Sequence, residues 1–502
     1  MLVSSRRLIF VLICSVTLLF GAISTGQTSP DAENATFRLE SFAIGLDPAF
    51  ITDTQSRRIT DMLHAQLVRS ESNGTITAEI AESWDWVAAD TLRFQLRTGL
   101  TFSNGQDVTS ADAAWSICRL VQPTAPTRWL FSNVRHELVD DGEKARCEGI
   151  RTDGPHSIEI EIDAEPDRLL PALASTPAAI VPEGSEAGEY GVIPGAGPYE
   201  VEYIEPNARV VLNGRQGGPF TPGFREVEFR LVQDDATATA LFRAGELDVL
   251  EIGNPTLYRL LVEDGEPRLP GRLLSSPVDQ VRLLIFNEAK ITDRLGVSES
   301  ETREWISAFT ARIDVEAIAQ RFSPLLIPMH TSYFPAYESE PEGMNARHTD
   351  NTAKAEPRSV GLTIVTENDP FSDSLAAAIT REAGIDRIDY IGLEKSVLIS
   401  RLINREYEIA SITLEAQVHH PAYWLSFFRP GSPFTVFGTP IEGLKGPGEP
   451  GATDHNRVLI DEKGNWFVLA RERRFVLVQP RIGKLSSHAT GLLNYATIET
   501  DG

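Results

Sequence analysis

The chain has 502 residues, of which 71 are acidic and 46 basic, for a net charge of −25. So acidic a surface repels nucleic acid and anionic lipid headgroups, and neither is expected as a partner. The length exceeds what one hydrophobic core organises, so at least two domains are expected.

At the start, Arg6 and Arg7 precede an apolar run from Leu8 to Ala22, and Ala22-Ile23-Ser24 offers small residues where a signal peptidase reads. The run falls short of the ~20 residues a bilayer span needs, so residues 1–24 are read as a signal peptide cut near Thr25. Cleavage removes two arginines and no acid, which takes the net charge from −25 to −27. Cys14 lies inside the apolar run and is not read as a lipid attachment site. The other two cysteines, Cys118 and Cys147, would sit in an oxidising compartment, either bridged or as two separate buried thiols.

A strand opens at FRLES, residues 37–41. LDPAFITDTQSRRITDMLHAQLV then runs from a loop into a helix whose apolar positions are Ile59, Met62, Leu63 and Leu67, with Gln66 as a polar exception. Phe94, Leu96 and Leu100 then alternate with polar neighbours, Asn104-Gly105 supplies a turn, and Thr109 with Asp112 forms a capping box. The recurrence of Ala111, Ala114, Trp115, Cys118 and Val121 predicts the apolar face of the helix that follows.

Ile158–Ile162 reads as a strand. The segment 195–213 reads as a hairpin with Tyr199, Val201 and Tyr203 on one face and Pro206 in its turn. Gly195 and Gly197 are not a phosphate loop, because no Lys-Ser/Thr follows and a strand, not a helix, comes next. Residues 227–252 read strand, helix, strand, with Gly245 as the stop, which suggests a parallel α/β unit. Strands at 360–369 and 388–391, with a helix from Ser372 to Ala383 between them stopped by Gly384, belong to a second α/β region. Residues 438–456 read as a surface loop, and Arg474–Val478 as a late strand.

Several of these segments, in the same order, resemble the extracytoplasmic solute-binding proteins of family 5, the peptide, nickel and oligopeptide receptors of ABC importers. They are the strand, Asn-Gly turn and capped helix of 94–116, the extended segment 76–86, Gly-Ala-Gly-Pro-Tyr at 195–199, Gly245-Glu246-Leu247-Asp248, and Phe286-Asn287. The resemblance covers about residues 37–430. It implies a two-lobed α/β fold with mixed sheets, two crossover strands and a ligand cleft between the lobes. Lobe I would comprise 25–282 with an extra subdomain at about 60–190, lobe II would comprise 283–474, and 475–502 would return to lobe I. It implies an extracytoplasmic receptor, periplasmic and monomeric, that takes a peptide-like or other small organic solute to the membrane subunits of an ABC importer. The alternatives are a ligand-sensing subunit of a membrane signalling system and a receptor for a metal chelate.

No hydrolase elbow, His-Glu-x-x-His or Walker loop is present, so no enzymatic activity and no cofactor are expected. Thr52, Asp53 and Thr54 are ligand candidates because the equivalent loop of the family lies near the ligand, although Asp53 or Thr54 equally suits a helix N-cap. Asn287 corresponds to the crossover asparagine and is assigned to hinge bonding. The segment 415–428 resembles the one in which peptide-binding relatives carry Asp-Pro. Here His420 precedes Pro421, so the carboxylate that would pair with a peptide ammonium is missing. His419 and His420 remain ligand candidates; on an extended segment they point apart and give a metal one ligand each at best, so no metal site is expected. Tyr423 and Trp424 are further candidates, with Trp424 also spaced to pack with Phe428 in a core. Tyr333 and Tyr337 are weaker ones.

Overall fold

The structure, a computed structural model, describes residues 34–42, 45–51, 53–163, 166–216, 220–329, 361–384, 388–416, 421–430, 437–446, 449–487 and 493–500. The leader 1–24, Thr52, Tyr333, Tyr337, His419 and His420 lie outside them.

Two lobes share one seven-stranded sheet because two long strands run through both. Arg272–Phe286 and Trp466–Val478 pair antiparallel over most of their lengths, from Leu274 opposite Val476 to Leu284 opposite Phe467. In lobe I the sheet ends on Val249–Ile252. In lobe II it continues through Ile409–Glu415, Leu362–Glu367 and Ile388–Leu393, with Leu326–Pro328 also on Trp466–Val478. The register slips between Pro277 and Val281, so the ladder is interrupted where the pair passes between lobes.

Lobe I holds a second sheet in the order Asn34–Leu39, Glu226–Leu231, Arg209–Gly214 and Tyr199–Glu205, parallel in its first pair only. Its core contains Phe37, Phe229 and Tyr495, with ring centroids 4.6 to 5.8 Å apart. The strand, helix, strand segment at 226–252 does not pair its two strands with each other. Asn34–Leu39 lies between them, since Asp248 N donates to Thr36 O and Thr36 N donates to the Asp248 carboxylate, at 2.9 and 2.8 Å. Arg481 adds two bonds to that buried carboxylate at 2.5 and 2.6 Å, tying the chain's last part to its first strand.

The first helix, Thr54–Leu63, stops before Gln66 and Leu67. The stop is tertiary: Gly197 N donates to Leu63 O at 3.0 Å, and a Cβ on Gly195 would lie 1.9 Å from that oxygen. The two glycines therefore permit close backbone approach. His64, next in the chain, is fully enclosed, and burial, aided by Arg119 and opposed by Asp61, pushes its imidazole down to about 3.

A four-stranded antiparallel sheet, Ala81–Ala88, Thr91–Leu96, Ser157–Glu161 and Ile150–Thr152, forms the subdomain of lobe I. Gly105 takes the positive φ that its turn requires, 83°. Helix Ser110–Leu120 starts where Thr109 donates from its backbone N–H and its hydroxyl to Asp112 Oδ2, at 2.7 and 2.6 Å. Its buried face is Ala113, Ser116, Ile117 and Leu120; of the expected Ala111, Ala114, Trp115, Cys118 and Val121, Val121 is buried and Ala114 packs partly against the core. Trp115 is instead covered by the Arg119 guanidinium, 4.9 Å from its ring centre, and Cys118 is bonded to Cys147.

Other differences are local. A bulge between Val201 and Tyr203 leaves Tyr199 buried and Tyr203 exposed. Helix Ala452–Lys463 begins inside the expected loop 438–456. Helix Pro370–Ala383 stops as expected at Gly384, φ 62°, but starts two residues before the expected Ser372, where Asp369 Oδ1 accepts from Phe371 N and Ser372 N. Among the described residues no helix is long and apolar enough to cross a membrane.

Candidate functional site

Charged side chains from four elements meet where the lobes face each other. Helix Thr54–Leu63 brings Arg57 and Arg58, strand Val249–Ile252 brings Glu251, the end of Ile409–Glu415 in lobe II brings Glu415, and the crossing strand Trp466–Val478 brings Arg474. Their exposures are low, 13% for Arg57, 8% for Arg58, 14% for Glu251, 19% for Glu415 and 15% for Arg474. Ions this enclosed must neutralise one another or a ligand, because desolvating an unpaired charge costs several kcal/mol, roughly.

One pairing is tight. Arg58 contacts Glu251 directly, stands 5.9 Å from the ring centre of Tyr495, and shares Glu251 with the Tyr495 hydroxyl, which donates to it at 3.4 Å. Burial works against ionisation of Glu251, yet Arg58, Arg474 and Arg38 together outweigh it and hold the carboxyl below its ordinary range. The other pairings are loose. Arg57 and Arg474 each approach Glu415 at 3.8 Å, and Arg474 approaches Glu251 at 3.7 Å, outside hydrogen-bond reach.

An aromatic wall adjoins this cluster. Tyr423, on helix Pro421–Ser426, donates its hydroxyl to Glu415 O at 2.7 Å and packs on Trp129 of the lobe I subdomain, with centroids 5.4 Å apart. Burial holds its phenol above the ordinary range, with Arg57 opposing and Glu415 reinforcing the shift. The apolar core of the subdomain thereby continues into lobe II. Trp424 packs edge-on against Tyr423, 5.1 Å between centroids, and beside Phe427, whose ring also packs on Trp466.

The expected site residues divide accordingly. Asp53 is the N-cap of the first helix, its carboxylate accepting from Ser56 N at 2.8 Å and from Ser56 Oγ at 2.7 Å, and Thr54 is that helix's first residue. This leaves the Asp53 oxygens engaged, one helical turn before Arg57. Asn287, assigned to the hinge, caps helix Glu288–Leu295 and donates to Arg405 O at 2.9 Å, at the lobe II end of its strand. Of the four described candidates, Tyr423 alone reaches the charged cluster directly.

Arg57, Arg58, Trp129, Glu251, Glu415, Arg474 and Tyr495 were not singled out from sequence. Four of them carried a signal. Glu251 interrupts the apolar run LDVLEI, and Arg474 ends the RERR tetrad inside an otherwise apolar strand, each a charge placed in a core-forming segment. The Arg57-Arg58 doublet follows the loop already chosen as a ligand candidate. Among the described residues no group of three or more His, Cys, Asp or Glu is arranged to hold a metal ion.

The family model of bacterial extracellular solute-binding proteins, family 5 Middle, matches residues 75–413. The periplasmic murein peptide-binding protein MppA of Escherichia coli (strain K12) is 22% identical over 298 residues, 56% of this chain and 54% of that protein. The chain thus spans about half the length of that curated relative. The structure of the Escherichia coli murein tripeptide binding protein MppA superposes with a TM-score of 0.75 at 17% identity, covering 93% of this chain and 98% of that one. The structure of AgaA from A. tumefaciens in complex with agropinic acid superposes at 0.73 with 18% identity, over 93% and 99% of the two chains. At such identities the superpositions speak for the fold.

Proposed function

Because the chain belongs to the bacterial extracellular solute-binding proteins of family 5, we propose that it is an extracytoplasmic receptor. It captures a small organic or peptide-like solute between its lobes and delivers it to the membrane subunits of an ABC importer. The lobes, 25–282 and 283–474, swing about the slip in the paired crossing strands, and residues 475–502 belong with lobe I. Residues 1–24 direct export and are removed, and the mature receptor works as a monomer. It holds its solute without altering it.

The observation that carries this reading is the cluster of buried charges contributed by both lobes and a crossing strand, with Glu415 of lobe II held at 3.8 Å from Arg57 and Arg474. Such contacts form only when the lobes approach. A closing receptor uses that approach to remove its solute from water and to present a new outer surface. Solvents and solutes compete for the same groups when the lobes part.

Native mass spectrometry of protein purified from its own host tests the reading. The expected result is one solute per chain, released unchanged on unfolding, with a smaller radius of gyration by X-ray scattering when the solute is present. Chemical conversion of the solute, or scattering that is the same with and without it, overturns the proposal. The packing of Trp129 on Tyr423 across the lobes gives a second readout, a tryptophan emission change on binding.

A further inference from the structure

We propose that Trp129 and Tyr423 form a latch that holds the two lobes shut without help from a solute, so that the chain itself sets the balance between its open and shut forms. The inference rests on the receptor reading and adds to it the side chains that bias closure.

Trp129 belongs to lobe I. It sits on a short turn, Arg128–Phe131, in which Leu130 and Phe131 are buried in the subdomain core, so its ring is presented from a fixed base. Tyr423 belongs to lobe II, on helix Pro421–Ser426, and its hydroxyl is engaged by Glu415 O of the same lobe at 2.7 Å. What it offers to the other lobe is therefore its ring. The two rings meet directly, with centroids 5.4 Å apart and planes inclined by 57°, and neither residue is more than 6% exposed. On the lobe II side, Trp424 and Phe427 continue the packing, 5.1 and 5.4 Å from the Tyr423 ring centre.

Magnitudes separate this contact from the ionic one beside it. Arg57 and Glu415 attract each other, but both regain water when the lobes part, so desolvation offsets most of what their approach to 3.8 Å gains. The rings have no such return. Parting the lobes exposes apolar surface on both, and the aromatic pairing is lost in addition to that burial. The charges thus fix the register of closure, and the rings supply its bias. Because the contact joins two side chains of the chain itself, it forms whether or not a solute lies elsewhere in the cleft. A solute then meets a receptor that is already shut part of the time, and less of its binding energy goes into closure.

The test places spin labels at Leu138→Cys in the lobe I subdomain and Ile399→Cys in lobe II, two exposed positions of the full mature chain, whose own Cys118 and Cys147 are bonded to each other. Double electron–electron resonance reads the distance between the labels in protein as purified from its own host, and in the same protein stripped by unfolding in guanidinium chloride and refolding. The expected result is one distance before stripping and, after it, that distance together with a second from the open form. In the stripped chain Trp129→Ala lowers the shut-to-open ratio about tenfold, the size of one well-packed aromatic pair. Where that variant fails to fold, Trp129→Leu keeps apolar bulk, loses the pair and lowers the ratio in the same direction. Tyr423→Phe keeps both rings and removes only a bond made inside lobe II, so it lowers the melting temperature and leaves the ratio within about twofold. A stripped chain that shows only the open distance, or a ratio that the Trp129 variants leave unchanged or that falls alike in Tyr423→Phe, overturns the latch and leaves the receptor reading standing. A distance that neither stripping nor any variant changes overturns the latch and lobe closure together.

Discussion

Replacing Glu251 by alanine should destabilise the chain strongly, because it removes the carboxylate that neutralises Arg58. That guanidinium is 8% exposed, and among the described residues its other interactions are weaker: Gln55 at 3.4 Å, the ring of Tyr495 at 5.9 Å, and the more distant charges of Glu40 and Glu415. Breaking a buried pair by deleting one member costs about 3–5 kcal/mol, since the survivor stays desolvated and charged. Unfolding entropy near 2.1 cal/mol/K per residue amounts to about 1 kcal/mol per degree for 502 residues, so the expected fall in melting temperature is about 3–5 °C. Differential scanning calorimetry at neutral pH measures it. The double variant Arg58→Met with Glu251→Leu removes both charges and should recover most of the loss. A Glu251→Ala melt within 1 °C of the parent, or a double variant less stable than the single one, would refute the argument that the cluster is desolvated.

Gly195→Ala places a Cβ 1.9 Å from Leu63 O and should cost about 1–3 kcal/mol by forcing the first helix away, read as a lower urea midpoint. Cys118→Ser opens a cross-link between positions 29 apart and should lower stability by about 3.5 kcal/mol, seen under non-reducing conditions and absent when the parent is reduced. His64 is held neutral, with its folded value near 3 against 6.5 when unfolded. The unfolded chain therefore binds the extra proton first, and this contribution to stability is complete above 6.5 and lost as pH falls from 6.5 toward 3, by about 1.4 kcal/mol per unit. His64→Leu should flatten that part of the pH profile; an unchanged slope between pH 6 and 5 would place the dependence elsewhere.

Much of the fold was legible in the order of local signals. The Asn-Gly turn followed by the Thr109–Asp112 cap and the Gly384 stop are decided by residues within a few positions of one another, where propensity and capping act. What failed was direction. Period alone gives a helix two apolar stripes to choose between, and Ser110–Leu120 buries Ala113, Ile117 and Leu120 because the neighbouring sheet lies on that side. The end of the first helix was likewise misplaced, since it is set by Gly195 and Gly197, more than 130 positions later in the chain.

The order of motifs in the chain was enough for its class, an acidic, two-lobed α/β protein of the family 5 solute-binding proteins. It could not assemble the site. Residues 57, 58, 251, 415 and 474 share no local pattern, and only the double passage of the chain between lobes links them, through Arg474, into one series of contacts under 4 Å. An isolated arginine on a helix reads as solvated surface. Its burial, and with it the demand for an opposing charge, exists only once the lobes enclose it, because the energy of a charge depends on the medium around it and not on its neighbours in sequence.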